Sequence, residues 1–216
     1  MVWPKLNPCS CQIYEIGEDA KLRRNLRTWK LSDFFTGRIL IAAPNMEDPR
    51  FKHAIILVCD HDQEHALGIV INRLIPNLTL PHFFEQIGIE NAQFAPKQPI
   101  LEGGPCQQER GFVVHSDEWN ESSTQSIGFG LALTVTKDIF TAVVDGKTPN
   151  KMIVALGYAG WGPGQLESEI VQNAWIVGDA SADLIFNTQD ISAKWQQSLQ
   201  AMGIDPQRFS PFAGNA

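Results

Sequence analysis

Cysteine is scarce in this chain: four residues in 216, at positions 9, 11, 59 and 106. A chain this long with so few cysteines is not a disulfide-stapled scaffold. Long apolar runs are also missing. No window approaches the ~20 apolar residues of a membrane-spanning helix. Residues 1–27 lack the apolar core of roughly 7–15 residues that marks a secretory signal. These two absences point to a cytoplasmic protein without membrane association. Positive charge is in deficit, with 17 Lys and Arg against 24 Asp and Glu, a net charge of −7. That balance disfavours direct nucleic-acid binding, which needs clustered cations. Finally, no C-x-x-C, H-E-x-x-H or G-x-x-x-x-G-K-[ST] spacing occurs. No catalytic residue, metal ligand or cofactor is therefore assigned.

What is present suits one globular domain: 44% hydrophobic residues, enough for a sizeable core at this length. Residues 1–29 read as an N-terminal extension with two free thiols, Cys9 and Cys11, and a basic run from Lys21 to Arg27. The domain spans 30–203, and 204–216, with Pro206, Pro211 and Gly214, reads as a tail. Apolar runs predict strands at 38–43, 53–59 (HAIILVC), 66–71 (ALGIVI), 99–101, 111–115, 131–135, 151–156 and 174–177. The short link between 59 and 66 favours an antiparallel hairpin, because a parallel return needs a dozen or more residues. Helices are expected at 80–87, at 137–145 after a Thr136 cap, at 163–173 and at 191–202. Strands that come partly as hairpins and partly between helices predict an α+β fold: a single domain with a mixed, largely antiparallel β-sheet flanked by helices.

The densest motif is Gly157-Tyr158-Ala159-Gly160-Trp161-Gly162-Pro163-Gly164-Gln165. It reads as a loop that aims a tryptophan and opens a helix, with Pro163 in the first turn. Tyr158 and Trp161 each carry a polar tip that needs a partner. A recognition loop and a tight turn over a core tryptophan explain it equally well. Glu167 sits in the first helical turn and argues against an anion there. Cys59 lies two residues from His61 on one strand, a pairing that suggests a thiol nucleophile. A buried structural cysteine is the plainer account. Arg110 can hold a carboxylate, more simply as an ion pair with Glu102 or Asp48. His115 can exchange protons. Asn45, Asp48 and Asn72 stand at strand ends, where they satisfy local backbone groups or line a cleft.

Taken together, Ala43-Pro44-Asn45-Met46-Glu47-Asp48-Pro49-Arg50-Phe51, Val58-Cys59-Asp60-His61, Gly68-Ile69-Val70-Ile71-Asn72-Arg73, Glu102-Gly103-Gly104-Pro105, Arg110-Gly111-Phe112-Val113-Val114-His115 and Ala155-Leu156-Gly157-Tyr158-Ala159-Gly160-Trp161 resemble the YqgE/AlgH family. Six motifs in order span about residues 31–195. The resemblance implies a bacterial cytoplasmic protein linked to transcriptional regulation, with no enzymatic activity or cofactor to carry over. Two departures stand out: Leu74-Ile75 precede Pro76 where the family has a proline sooner, and Cys106 replaces an aliphatic residue. The leading expectation is a non-enzymatic regulator or adaptor that binds a protein or small ligand. Asn45, Asp48, Asn72, Arg110, His115, Tyr158, Trp161 and Gln165 are its candidate lining. A thiol-dependent hydrolase or transferase using Cys59 with His61 or His115 is the alternative. Direct DNA binding through the basic run comes third.

Overall fold

Continuous apolar strands need cover on both faces, and the architecture supplies it. The computed structural model describes residues 34–121, 123–135, 138–188 and 190–206. The extension with its cysteines and basic run, the Thr136 cap and the tail from residue 207 lie outside the described residues.

The strands are β1 (Arg38–Ala42), β2 (Ile55–His61), β3 (Ala66–Val70), β4 (Leu74–Thr79), β5 (Pro99–Glu102), β6 (Cys106–Ser116), β7 (Thr124–Gly128), β8 (Leu131–Thr134), β9 (Met152–Trp161) and β10 (Trp175–Asp179). The helices are α1 (Leu80–Gln86), α2 (Asp138–Val144), α3 (Gln165–Val171), α4 (Ala182–Phe186) and α5 (Lys194–Ala201). The strand order is β10-β1-β2-β3-β9-β6-β8-β7, with β5 pairing β4 and β9. Only the β5–β9 pairing is parallel among the described strands. The fold is α+β with a curled, largely antiparallel sheet, and β2 and β3 form the expected hairpin.

Alternation along the strands feeds three cores. Ile39, Ile41, Leu57, Ile69, Phe112 and Val114 face inward, where Ile185 of α4 and Leu199 of α5 close the core. Leu40, Ala42, Ile56 and Val58 point the other way, onto Leu166 of α3. Val113 and Val154 pack beneath Phe83 and Phe84 of α1 and Phe140 of α2. The sheet curls far enough that the Phe129 ring, on the β7–β8 turn, lies over Gly37 just before β1.

Residues 157–161 are not a loop: they continue β9, with Ala159 opposite Gly68 and Trp161 opposite Ala66. Side chains alternate accordingly. Tyr158 enters the inner core beside Phe112, while Ala159 and Trp161 enter the outer one. The turn is only Gly162-Pro163-Gly164, and the helix starts at Gln165, later than Pro163. Gly157 serves a backbone crossing instead. A Cβ on Gly103 would lie 2.3 Å from the Gly157 carbonyl oxygen, and Gly157 takes φ +77°.

Helix α5 buries Lys194, whose Nζ donates to the carbonyls of Ile71 (3.4 Å) and Ile185 (3.3 Å). Burial pushes this ammonium down to about 8. The folded state then binds fewer protons than the unfolded chain between about 8 and the ordinary lysine value, so stability rises with pH across that window. Urea midpoints measured from pH 7 to 10 should climb, and Lys194→Met should flatten the slope while adding roughly 1 kcal/mol at pH 7.

A candidate recognition cleft

A carboxylate on the buried face of a helix must find donors, because an unpaired buried charge is costly. Glu169 lies three residues after Leu166, on the stripe that α3 turns to the sheet, and only 6% of it is exposed. Its donors come from three elements. The indole nitrogens of Trp161 (β9) and Trp175 (β10) both donate to Oε2 at 2.8 Å. Gln165, one turn earlier on α3, donates to Oε1 at 2.9 Å. Gln165 in turn accepts from the Gly162 backbone N–H and ties the turn to the helix. Burial dominates the electrostatics and raises the Glu169 carboxyl above its ordinary value, against the three hydrogen bonds that favour its charge.

Glu169 forms part of the wall of an open cleft of about 670 Å³ between the end of α3 and the loop after β1. Asn45, Glu47, Asp48 and Arg50 line one side, with Gln172 and Asn173 on the other. The loop is tightly built. Asp48 accepts from the Arg50 backbone (2.9 Å) and from its guanidinium (2.7–3.1 Å). The Arg50 hydrogen bond holds the Asp48 carboxyl below the usual carboxylate range. Behind the loop, Arg73 donates to the carbonyls of Pro49, Arg50 and Lys52. Asn72 accepts from Ile55 N–H (2.7 Å) and donates to the His53 carbonyl (2.8 Å).

Four of the sequence candidates therefore converge. Asn45 and Asp48 line the cleft, and Trp161 and Gln165 hold its carboxylate. The other four do not. Asn72 is a buried backbone peg beneath the loop. Tyr158 is a core residue, 2% exposed. Arg110 lies over the Phe112 ring and donates to Gln107, and Asp48 pairs with Arg50 rather than with Arg110. His115 is fully buried: Nδ1 donates to the Ser116 carbonyl, which leaves Nε2 to accept from the Thr134 hydroxyl. Glu169 is the residue that sequence reasoning missed. Its i+3 spacing from Leu166 was the available signal.

The Cys59 alternative loses its geometry. The thiol is fully buried, donates to the Leu57 carbonyl and is pushed far up by burial. Both ring nitrogens of His61 are occupied. Nδ1 accepts from Phe35 N–H (3.0 Å), so Nε2 carries the hydrogen and donates to Glu167 (3.0 Å). Burial alone would raise Glu167, yet the hydrogen bond from His61 brings its carboxyl below the usual range. His115 is committed to Ser116 and Thr134. Native protein exposed to iodoacetamide at pH 7 should leave Cys59 unmodified, with alkylation appearing only on unfolding. Mass mapping of the peptide checks this.

A curled, mainly antiparallel sheet covered on both faces, with a polar cleft beside an indole-clamped glutamate, defines a single-domain α+β protein. The profile of the AlgH-like family matches residues 39–207, and the chain belongs to that family. A UPF0301 protein of Caulobacter vibrioides is 41% identical over 186 residues, covering 85% of this chain and 95% of the relative. A UPF0301 protein of Paracoccus denitrificans is 40% identical over 188 residues, covering 86% and 98%. The solution structure of AlgH from Pseudomonas aeruginosa superposes with a TM-score of 0.69 at 31% identity, covering 87% of this chain and 99% of that one. A Corynebacterium diphtheriae protein of 20% identity shares the fold, with a TM-score of 0.63 over 82% of this chain and 92% of that one. Among the described residues, no helix is long and apolar enough to cross a membrane.

Proposed function

We propose that this chain is a non-enzymatic regulatory or adaptor protein of the cytoplasm that binds a protein or small-ligand partner in the cleft between the Asn45–Arg50 loop and the end of α3. The observation that carries this reading is the Glu169 carboxylate, held by two indoles and a glutamine in the wall of an open polar cleft. A buried charge held by three separate elements is an arrangement suited to recognition, where fixed polar groups set orientation. The sealed Cys59 and the committed histidines favour binding over catalysis. Any influence on transcription would run through a partner, since the chain carries a net charge of −7.

The test is comparative crosslinking in cells. Asn45→Ala, Glu47→Ala and Gln172→Ala are combined in one chain, all on exposed positions. Partners crosslinked to the native chain should be lost from this variant and kept by the exposed control Lys97→Ala. An unchanged partner set, protein and metabolite alike, would sink the cleft reading.

A further inference from the structure

Oxygen accounting at Glu169 leaves one place open. An ionised carboxylate offers about four acceptor sites. Oε2 takes two, from Trp161 and Trp175, and Oε1 takes one from Gln165. All three donors are neutral, so the negative charge is oriented but not neutralised. The acidic side chains lining the cleft are Glu47, Asp48 and Glu169, and its cation is Arg50, already engaged by Asp48 through both Nε and Nη2. The lining therefore keeps an excess of negative charge beside the buried Glu169 carboxylate, where attraction on an arriving cation is least screened. An anion would meet repulsion from the same groups. The cleft, at about 670 Å³, is larger than a lone guanidinium requires and has room for a side chain with its flanking backbone. Asn45, Gln172 and Asn173 amides surround it and suit peptide groups.

We propose that the cleft takes the guanidinium of an arginine side chain carried on a partner polypeptide, with Glu169 accepting from it at the wall and Glu47 adding charge at the rim. The inference rests on the cleft reading above and adds the chemical class of the occupant. A guanidinium suits better than an ammonium because its planar fork reaches two acceptors at once and sheds water more easily.

The experiment uses the full chain labelled with ¹⁵N and follows the indole N–H resonances of Trp161 and Trp175, assigned by single Trp→Phe changes. The probes are the blocked tripeptides Gly-Arg-Gly, Gly-Lys-Gly, Gly-citrulline-Gly and Gly-Glu-Gly, together with free guanidinium chloride. Saturable shifts at both indoles with the arginine peptide are expected, with the citrulline peptide at least about tenfold weaker, as befits loss of a charge-assisted contact. Glu47→Gln, on an exposed side chain, should weaken the arginine peptide about two- to fivefold. Glu169→Gln should remove the indole response, and Glu47→Gln keeps the test alive if that variant does not fold. Equal binding of citrulline, preferential binding of the glutamate peptide, or no saturable shift with the arginine peptide overturns the proposal. Guanidinium chloride binding as tightly as the peptide overturns its polypeptide half and assigns the site to a small guanidino compound. If arginine fails while the triple variant still loses its crosslinked partner, this inference falls and the cleft reading stands. If both fail, both fall.

Discussion

Gly104→Ala should prevent the domain from folding, or cost at least about 4 kcal/mol where soluble protein is recovered. Gly104 has φ +151°, and a Cβ there would sit 2.2 Å from the Tyr158 carbonyl carbon, 2.3 Å from its oxygen and 2.5 Å from the Ala159 nitrogen. All three atoms are backbone of β9, a strand paired with β3, β5 and β6. A flexible side chain could swing aside, but a strand fixed by three neighbours has nowhere to go. The opposing contact is equally tight: a Cβ on Gly157 would lie 2.4 Å from the Gly104 carbonyl oxygen. The control is Gly146→Ala. Gly146 has φ +77° but nothing within 4 Å of its Cβ position, so it should cost only about 1 kcal/mol. Soluble yield and urea midpoints of the two variants measure the difference. Comparable losses would mean that backbone conformation, and not the crossing, makes Gly104 indispensable.

Glu169→Leu should destabilise the fold by about 3–5 kcal/mol. The substitution leaves two buried indole N–H groups and the Gln165 amide without their acceptor. Glu169→Gln should cost about 2 kcal/mol. Its carbonyl can still accept from both tryptophans, but its amide hydrogens then oppose those of Gln165, whose own oxygen is held by Gly162. Equilibrium urea unfolding followed by tryptophan emission gives both values. The pH dependence carries a further signature. Glu169 is raised in the fold, so its linkage contribution is full below the unfolded carboxyl value and is lost as pH rises through the folded one. Glu167, two residues away, is lowered, so its contribution is present above the unfolded value and is lost as pH falls through the folded one. The native-minus-variant difference should therefore shrink with rising pH for Glu169→Gln and grow for Glu167→Gln. Parallel profiles for the two would contradict this assignment.

The strands that read most plainly in the sequence are those buried on both faces. HAIILVC and ALGIVI are continuous apolar runs because β2 and β3 have a core on each side. Strand β4 was invisible for the opposite reason: it is mostly exposed, contains Pro76 and pairs β5 with a shifted register. Strand β7 lacks apolar alternation because Ile127 is its one buried apolar residue. Helix α4 is only five residues long, and its one signal was the Ser181 cap, which accepts from Leu184 N–H. Gly157 suggested a loop because glycine more often marks a turn than a crossing of two backbones. Whether Trp161 served core or partner was open in the sequence. It does the first directly, at 2% exposure, and bears on the cleft only through Glu169. That coupling joins residues 8 and 6 positions apart, Trp161 and Trp175 to Glu169. Only the packing of β9, α3 and β10 brings their tips to one oxygen.

The three carbonyls gathered by Arg73 have a consequence for the rate and heat of binding. Arg73, immediately before β4, pins the backbone at Pro49, Arg50 and Lys52, so the loop enters an encounter with its conformational entropy already surrendered during folding. Ordering a free segment of this kind at the moment of association would oppose binding, by ~1–2 kcal/mol for each backbone residue fixed. Here that cost is carried by the domain's own stability. A partner meeting this cleft should therefore be captured in a single kinetic phase, with no slow rearrangement following contact.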